Sequence, residues 1–186
     1  MSAPRPILKL VPQPAAAPAP EARPDFATLF ALYQPWVTAV ASRLTGRRAD
    51  VEDIVQDVFF VCARKLGSIS SVADAKPWLR TVTVRVARKR MRLQRWGAWL
   101  RSSEDGLTEL PYRGVSPEEQ AMLQSLYRAL GALDVDDRLA WTLRHVEGAS
   151  LDEVAEACQC SLATAKRRIA KAAQGLKERG HAASED

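Results

Sequence analysis

The chain has 186 residues, of which 47% are hydrophobic and 26% charged, and its formal net charge is +5. It contains no run of about 18 apolar residues, and the apolar stretch at 7–11 is too short for a signal peptide, so we expect a cytoplasmic protein without membrane insertion. The three cysteines are too few for a disulfide framework, which also favours the cytoplasm.

The charge is unevenly distributed along the chain. Residues 25–95 carry 13 basic and 6 acidic side chains, whereas residues 116–186 carry 9 basic and 12 acidic ones. In the second part nine of the twelve acids precede residue 157, and six of the nine bases lie between 166 and 179. Two segregated basic stripes indicate a polyanionic partner, although a single stripe of this kind is more often a solvated helix face.

The first part of the chain predicts a tail followed by an amphipathic helix. Residues 1–24 hold seven prolines and show little hydrophobic periodicity. Such a segment buries too little surface to offset its ordering entropy, so we predict a disordered tail. Apolar side chains then recur at three- and four-residue steps from 26 to 40, which predicts a helix. Pro35 lies inside it, and we expect a kink or a boundary there.

Two more helices are predicted before residue 95. Asp50 is the candidate N-cap of the second helix, in which Ile54 and Val58 belong to an apolar stripe. A Ser-rich loop at 67–73 leads to a third helix that runs from near Asp74 towards residue 95. Residues 81–86 alternate as strands do, yet we prefer a helix because no turn signal interrupts the segment and no second strand is available to pair with it.

The remaining sequence predicts a linker and a second helical domain. The irregular segment 96–115 is the predicted linker, and Ser116, Pro117 and Glu119 form a capping box that starts a helix. Helices are predicted at about 118–131, 135–147, 151–158 and 162–177, and residues 179–186 as a disordered tail. We therefore predict an all-α fold in which two small helical domains, 25–95 and 116–178, are joined by a flexible linker.

The clearest motif is a helix-turn-helix at 150–177. Ser150 and Glu153 form a capping box, the turn is 159–161, and Ser161 caps a longer basic helix. Gln159 stands where such turns favour a left-handed glycine, at a cost of about 1 kcal/mol. A basic second helix fits the major groove of duplex DNA, although basic helical hairpins also occur in proteins that bind no DNA. The candidate duplex-contacting residues are Ser161, Thr164, Lys166, Arg167, Arg168 and Lys171.

The predicted third helix is strongly basic, with no acid between residues 75 and 103. Its cations suit the backbone of a nucleic acid, and its candidate DNA-contacting residues are Arg80, Arg85, Arg88, Lys89 and Arg92. Trp78 shares a face with Val82 and Val86, so we interpret it as a core residue rather than as a stacking platform for bases.

The predicted second helix carries a cluster of acids opposite its apolar stripe. Asp50, Asp53, Gln56 and Asp57 are candidates for a protein-docking face, with a solvated face as the alternative. No nucleophile or metal–carboxylate pattern accompanies them, so we predict that the chain is not an enzyme. Cysteines and histidines are too few for a convincing zinc site, and we predict no metal and no cofactor.

Two sets of motifs resemble the sigma-70 family of transcription initiation factors, in its small extracytoplasmic-function (ECF) type. The run Asp50-x-x-Asp53-Ile54-Val55-Gln56-Asp57-x-Phe59 resembles the D-x-x-D-L-V-Q-E-x-F signature of sigma region 2, and Pro77-Trp78-Leu79-Arg80 resembles the segment behind it. Glu147-Gly148-Ala149-Ser150, Glu153-Val154-Ala155 and Thr164-Ala165-Lys166-Arg167-Arg168 resemble region 4. The resemblance covers about 25–95 and 116–178.

The resemblance implies a division of labour between the two domains. The acidic helix would dock on the β′ subunit of core RNA polymerase, which with the β subunit is the implied protein partner. The basic helix would hold the melted −10 element, and the second helix of the helix-turn-helix would read the −35 element of promoter DNA. An anti-sigma factor is a further implied partner. Arg85 and Lys89 stand where the family commonly has Asn and Asp, so both add positive charge.

A second hypothesis is a one-component regulator that binds duplex DNA through the helix-turn-helix and dimerises through its first domain. The acidic docking helix discriminates between the two hypotheses, because a sigma factor binds core polymerase and a repressor need not.

Overall fold

The computed structural model describes residues 24–100 and 116–182. The predicted tails outside these ranges, and most of the predicted linker, are therefore not described. The predicted all-α fold is confirmed, since the two described ranges contain helices and no strand. The seven α-helices are α1 (Phe26–Thr45), α2 (Arg48–Lys65), α3 (Val72–Leu100), α4 (Pro117–Gly131), α5 (Val135–His145), α6 (Leu151–Ala157) and α7 (Leu162–Ala182), with a short 3-10 turn at Leu66–Ser68.

Local capping chemistry starts most of these helices. The side chains of Ser116 and Ser150 each accept a hydrogen bond from the third residue of a capping box, as predicted. Ser161 caps α7 by accepting from the backbone N–H of Thr164 at 3.2 Å. Asp25 caps α1 through the N–H of Thr28 at 2.7 Å. The sequence thus fixes these helix starts through contacts within three residues.

Several predicted boundaries were wrong. Helix α1 runs through Pro35 without a break, since Pro35 lies on its solvent side while Tyr33 and Trp36 anchor its inner face. Helix α3 continues past residue 95 to Leu100, because a single glycine such as Gly97 costs only about 1 kcal/mol and does not end a helix by itself. Helix α7 extends past residue 178 to Ala182.

The hydrophobic core runs from the first domain into the second. Leu29, Ile54 and Leu79 are fully buried between α1, α2 and α3, which pack as a three-helix unit. Leu139 of α5 and Val154 of α6 belong to the same buried cluster. The two domains are therefore in direct apolar contact through α5 and α6 in this structure.

A smaller core holds α4 against α7. Tyr127, Leu130 and Leu133 are buried there together with Ala172. The ring of Tyr127 also covers the turn between α1 and α2, where Gly46 has a φ of 63°. A Cβ at Gly46 would lie 2.4 Å from the Tyr127 ring, so both the backbone conformation and this close approach require glycine.

Within the described ranges, every helix is too short or too polar to cross a membrane.

Candidate polymerase and nucleic-acid interfaces

Helix α2 presents an acidic face to solvent. Its buried side is formed by Ile54 and Val58, whereas Asp53, Gln56 and Asp57 are exposed. We call these last three residues the docking face. The carboxylate of Asp53 forms an ion pair with Arg90 of α3, and its side chain remains 52% exposed.

Asp50 does not belong to this face and does not cap α2. It is only 4% exposed and lies inside the first helical turn, because α2 begins earlier, at Arg48. Its Oδ1 accepts a hydrogen bond from Nε2 of Gln94 at 2.5 Å and one from Nε of Arg90 at 3.3 Å. Asp50 therefore ties α2 to α3, and its predicted place in a docking surface was wrong.

The five candidate DNA-contacting cations of α3 fall into two groups. Arg85 and Lys89 are exposed and make no ion pair or hydrogen bond with any residue that the structure describes. Together with Arg88, Arg92 and Leu93 they line a cleft of about 420 Å³. Trp78 packs against the core, as predicted, so α3 offers cations rather than an aromatic platform.

The other group, Arg80, Arg88 and Arg92, contacts the second domain, and we call these three the paired arginines. Arg80 forms an ion pair with Glu153 of α6. Nε of Arg88 lies 2.9 Å from Oδ1 of Asp136, and Nη2 of Arg92 lies 3.0 Å from Oδ2 of the same carboxylate. The pairing and hydrogen bonding to Arg80, together with the N–H of Ser150, lower the pKa of Glu153 to about 2.

Helices α6 and α7 form the predicted helix-turn-helix. Gln159 in the turn has a φ of 52° and is the one described residue other than glycine with a positive φ, in agreement with the sequence prediction. Ala165 and Ala172 are fully buried on the inner side of α7, and small side chains there let α7 lie close to its neighbours. The turn thus places the cationic side of α7 outward.

The predicted duplex-contacting residues lie along one part of α7, but not all are free. Lys166 and Arg167 are exposed and form no ion pair within the described ranges. Ser161 and Thr164 hydrogen bond to each other at 2.9 Å at the start of the helix. Arg168 donates to Oδ2 of Asp136 at 2.7 Å, and Nζ of Lys171 lies 2.8 Å from Asp137, whose hydrogen bond raises the pKa of that lysine.

The functional residues that sequence reasoning missed are the acids of the second domain. The carboxylate of Asp136 forms ion pairs with Arg88, Arg92 and Arg168. A single acidic side chain therefore contacts both basic helices, α3 and α7. The sequence signal was present as the excess of acids before residue 157, but acid-rich composition alone does not identify the partners. Those partners are 32 to 48 residues away along the chain.

No cluster of three potential metal ligands occurs among the residues that the structure describes. Cys62 and Cys158 are buried free thiols and Cys160 is half-buried. Burial raises the pKa of Cys158 to about 11, which keeps that thiol protonated and weakly nucleophilic at neutral pH.

Two family models match the chain. Residues 29–97 match sigma-70 region 2 and residues 123–174 match sigma-70 region 4. The first match covers the three-helix unit α1–α3 almost completely, and the second covers most of α4 to α7, including the helix-turn-helix.

Similar proteins of known name agree with these matches. RNA polymerase sigma factor CarQ of Myxococcus xanthus is 30% identical over 159 residues, which span 84% of this chain and 90% of CarQ. The ECF RNA polymerase sigma-E factor of Escherichia coli K12 is 29% identical over 163 residues, covering 81% of this chain and 84% of that protein.

Solved structures extend the agreement to the fold. The sigma factor RpoE of Bartonella quintana, crystallised with the anti-sigma factor NepR, aligns with a TM-score of 0.63 at 25% identity over 83% of this chain and 96% of RpoE. CnrH, solved with the cytosolic domain of CnrY, shares the fold at a TM-score of 0.56, 22% identity and 84% and 88% coverage. The family models and the named relatives favour a polymerase factor over a one-component regulator. The chain belongs to the sigma-70 family and is a sigma factor of the ECF type.

Proposed function

We propose that this chain brings core RNA polymerase to promoters through three separate surfaces. The observation that carries the proposal is that one acidic docking face and two basic helices lie on different elements of one chain. The docking face is on α2, the −10 cations are on α3 and the −35 cations are on α7. A duplex-binding regulator needs only the last of these, whereas an initiation factor uses all three.

The docking face would contact the β′ subunit of the polymerase core, and the second domain would lie near the β subunit. Exposed carboxylates at Asp53 and Asp57 suit a cationic partner surface and steer association through their field. Phe60, one helical turn beyond Gln56, is 61% exposed and adds an apolar contact to the same side of α2. A mixed acidic and apolar patch of this kind is typical of a protein interface.

The five cations of α3 would hold the melted −10 element. Arg85 and Lys89 are immediately available to phosphates, and the paired arginines become available when their acids are displaced. The cations of α7 would lie in the major groove at the −35 element, with Lys166 and Arg167 outermost.

The remaining assignments belong to this proposal as well. Sigma-70 family members are initiation factors without enzymatic activity, and we extend this to the chain itself. It would work in the cytoplasm, where the polymerase is. An anti-sigma factor is the proposed regulatory partner, supported by the complex of the similar RpoE with NepR. The proposed domain assignment is region 2 from residue 25 to Leu100, where α3 ends, and region 4 from residue 116 to Ala182, where α7 ends, rather than to 95 and 178 as the sequence predicted.

Transcription from a genomic fragment library tests the function directly. Purified core polymerase is supplied with the full chain, and the 5′ ends of the RNA products are sequenced. We expect a small set of start sites that share sequence elements near −10 and −35 and vanish without the chain. A product pattern identical with and without the chain would overturn the proposal.

Asp57→Arg tests the docking face, since Asp57 is exposed and its reversal breaks no ion pair of the structure. We expect at least a tenfold loss of affinity for core polymerase in a fluorescence titration, from the reversal of charge at the interface. Asp152→Arg is the matched control, because Asp152 is an exposed helix acid in the other domain. Equal affinity of both variants would exclude α2 as the docking element.

A further inference from the structure

All four phenylalanines of the chain lie at one end of the α1–α2 pair. Phe26 and Phe30 belong to the first turns of α1, and Phe59 and Phe60 lie near the end of α2. The rings of Phe26 and Phe30 both pack against Phe59, with centroid distances of 6.3 and 4.8 Å. We call these four residues the phenylalanine patch.

The patch is exposed although it is aromatic. Phe26 is 36% exposed, Phe30 42% and Phe60 61%, and only Phe59 is buried. Six large hydrophobic side chains are exposed in the described ranges, and three of them belong to this patch. Single exposed apolar side chains are ordinary, whereas neighbouring aromatic ones mark a contact surface. We therefore expect the patch to have an apolar partner.

Acidic side chains adjoin the patch on α2. Asp57 and Gln56 of the docking face lie three and four positions before Phe60, which is one helical turn. Glu52, a further exposed acid, lies one turn before Gln56. A ligand that matches this surface carries aliphatic side chains together with positive charge.

The amino-terminal part of the same chain has this chemistry. Residues 7–11 read Ile-Leu-Lys-Leu-Val and contain every isoleucine, leucine and valine among residues 1–23. Arg5 and Lys9 are the charged side chains between residues 1 and 20, and no acid occurs there. This short segment is therefore both aliphatic and cationic.

The connection to α1 brings that segment within reach of the patch. Pro24 is buried and Phe26 is itself a patch residue, so the preceding chain leaves α1 at the edge of the patch. The stretch 12–25 spans about 45 Å at full extension, more than the length of α1, which is about 30 Å. A tether of this length gives an effective concentration of about 1 mM, so even a weak direct affinity suffices for binding.

We propose that residues 5–11 bind the phenylalanine patch of their own chain, with the aliphatic side chains on the rings and with Arg5 and Lys9 beside the acids of α2. The bound segment covers Phe60, which also belongs to the surface proposed for polymerase, so the segment and polymerase compete. Competition rests on the proposed function, whereas binding of the segment to the patch does not.

Fluorine NMR of the full chain reports on the patch alone, because the chain has no other phenylalanine. The protein is labelled uniformly with 4-fluorophenylalanine, and each resonance is assigned by replacing one phenylalanine with leucine. A soluble nitroxide then broadens the resonances of solvent-exposed rings. We expect little broadening at Phe26, Phe30 and Phe60 in the wild type and strong broadening in the double variant Leu8→Glu/Leu10→Glu.

Ala15→Glu/Ala17→Glu is the matched control, because it adds the same two charges outside residues 5–11. Both double variants leave α1 to α7 unchanged, so neither alters the helical core. We expect the control to behave as the wild type does. Equal broadening in all three proteins would overturn the proposal. Protection that grows with protein concentration would assign the contact to a second copy of the chain and would overturn binding within one chain.

Titration with core polymerase separates this proposal from the proposed function. We expect the Leu8/Leu10 variant to bind core about fivefold more tightly than the control, since a segment bound in about four of five molecules weakens the apparent affinity by that factor. Equal affinities would refute competition. Failure of all three proteins to bind core would refute the proposed function, and a fluorine result as expected would still support binding of the segment to the patch.

Discussion

Helices α3 and α7 are both basic, yet the structure uses their charges differently. On α3 the paired arginines reach across to acids of the other domain, and Leu79 and Val84 on the same helix are fully buried. On α7 the outermost cations, Lys166 and Arg167, face solvent, and the inner side carries only small or half-buried residues. Helix α3 is thus both the central element of the core and a candidate DNA contact, whereas α7 is a peripheral helix and a candidate reader of duplex DNA.

The difference shows that the number of cations on a helix does not reveal how many of them are free to bind DNA. Eight cations stand on α3 from residue 76 to 95, but those directed at Asp136 and Glu153 are already engaged. The availability of the paired arginines therefore depends on the position of the second domain, whereas that of Arg85 and Lys89 does not. Binding by Lys166 and Arg167 carries no such condition.

The largest expected effect concerns the core role of α3. Leu79→Ala should lower the free energy of unfolding by about 2–5 kcal/mol, because it leaves a cavity at a fully buried position. Ile169→Ala on α7 should cost less, since Ile169 is only half-buried. Urea denaturation of the full chain followed by circular dichroism measures both. Equal losses would remove the distinction between a central and a peripheral helix.

The second prediction concerns the melted strand. Taking bases out of the DNA stack costs a few kcal/mol, which contacts with the protein must offset. A promoter with a pre-melted −10 bubble avoids this cost, so the holoenzyme should prefer it to the fully paired duplex. Replacing Arg85 and Arg88 with alanine should reduce that preference and the permanganate reactivity of thymines near the start site. Reactivity equal to that of the wild type would mean that α3 contributes only a solvated face.

The third prediction concerns the reading helix. We expect each of three alanine variants to lose about 1–3 kcal/mol of binding free energy at one base step, if the replaced side chain contacts a base edge there. The variants are Lys166→Ala, Arg167→Ala and Lys171→Ala. A phosphate contact would instead weaken all sequences evenly. Holoenzyme binding to a promoter library distinguishes these patterns. Unchanged profiles for all three variants would contradict insertion of α7 into the groove.

The fourth prediction tests the turn that aims α7. Gln159→Gly should stabilise the chain by about 1 kcal/mol, because a left-handed backbone is strained for a residue with a Cβ. The melting temperature should rise by about 2–4 °C. Gln174→Gly, inside α7, is the opposite control and should destabilise by about 1 kcal/mol. Destabilisation by both would show that the turn carries no strain.

The smallest expected effect is the pH dependence of stability that comes from Glu153 of α6, which pairs with Arg80 of α3. Since the pKa of Glu153 is held near 2, below its ordinary value of 4.5, its contribution to stability is complete above pH 4.5. That contribution is lost as the pH falls from about 4.5 to about 2, when the carboxylate protonates. Carbon-detected NMR should show this low midpoint, and Arg80→Ala should raise it. An unchanged midpoint in that variant would place Arg80 away from Glu153 in solution.

The sequence by itself determined the all-α class, the helix-turn-helix and most helix starts. These features depend on contacts within three or four residues, such as the capping boxes at Ser116 and Ser150, and on the apolar periodicity of each helix. The strained turn at Gln159 was predictable for the same reason. The candidate binding residues named from the sequence lie on α2, on α3 and on α7 or at its start.

Only the tertiary structure decided which of those residues are available. Asp50 and Asp53 lie three positions apart on one helix, yet Asp50 is buried because Gln94 and Arg90 arrive from α3, about 40 residues later. Asp136 was not singled out at all, and it joins α3 to α7 because the domains pack together. Local sequence patterns describe one face of one helix, whereas burial and ion pairing depend on which other helix covers that face.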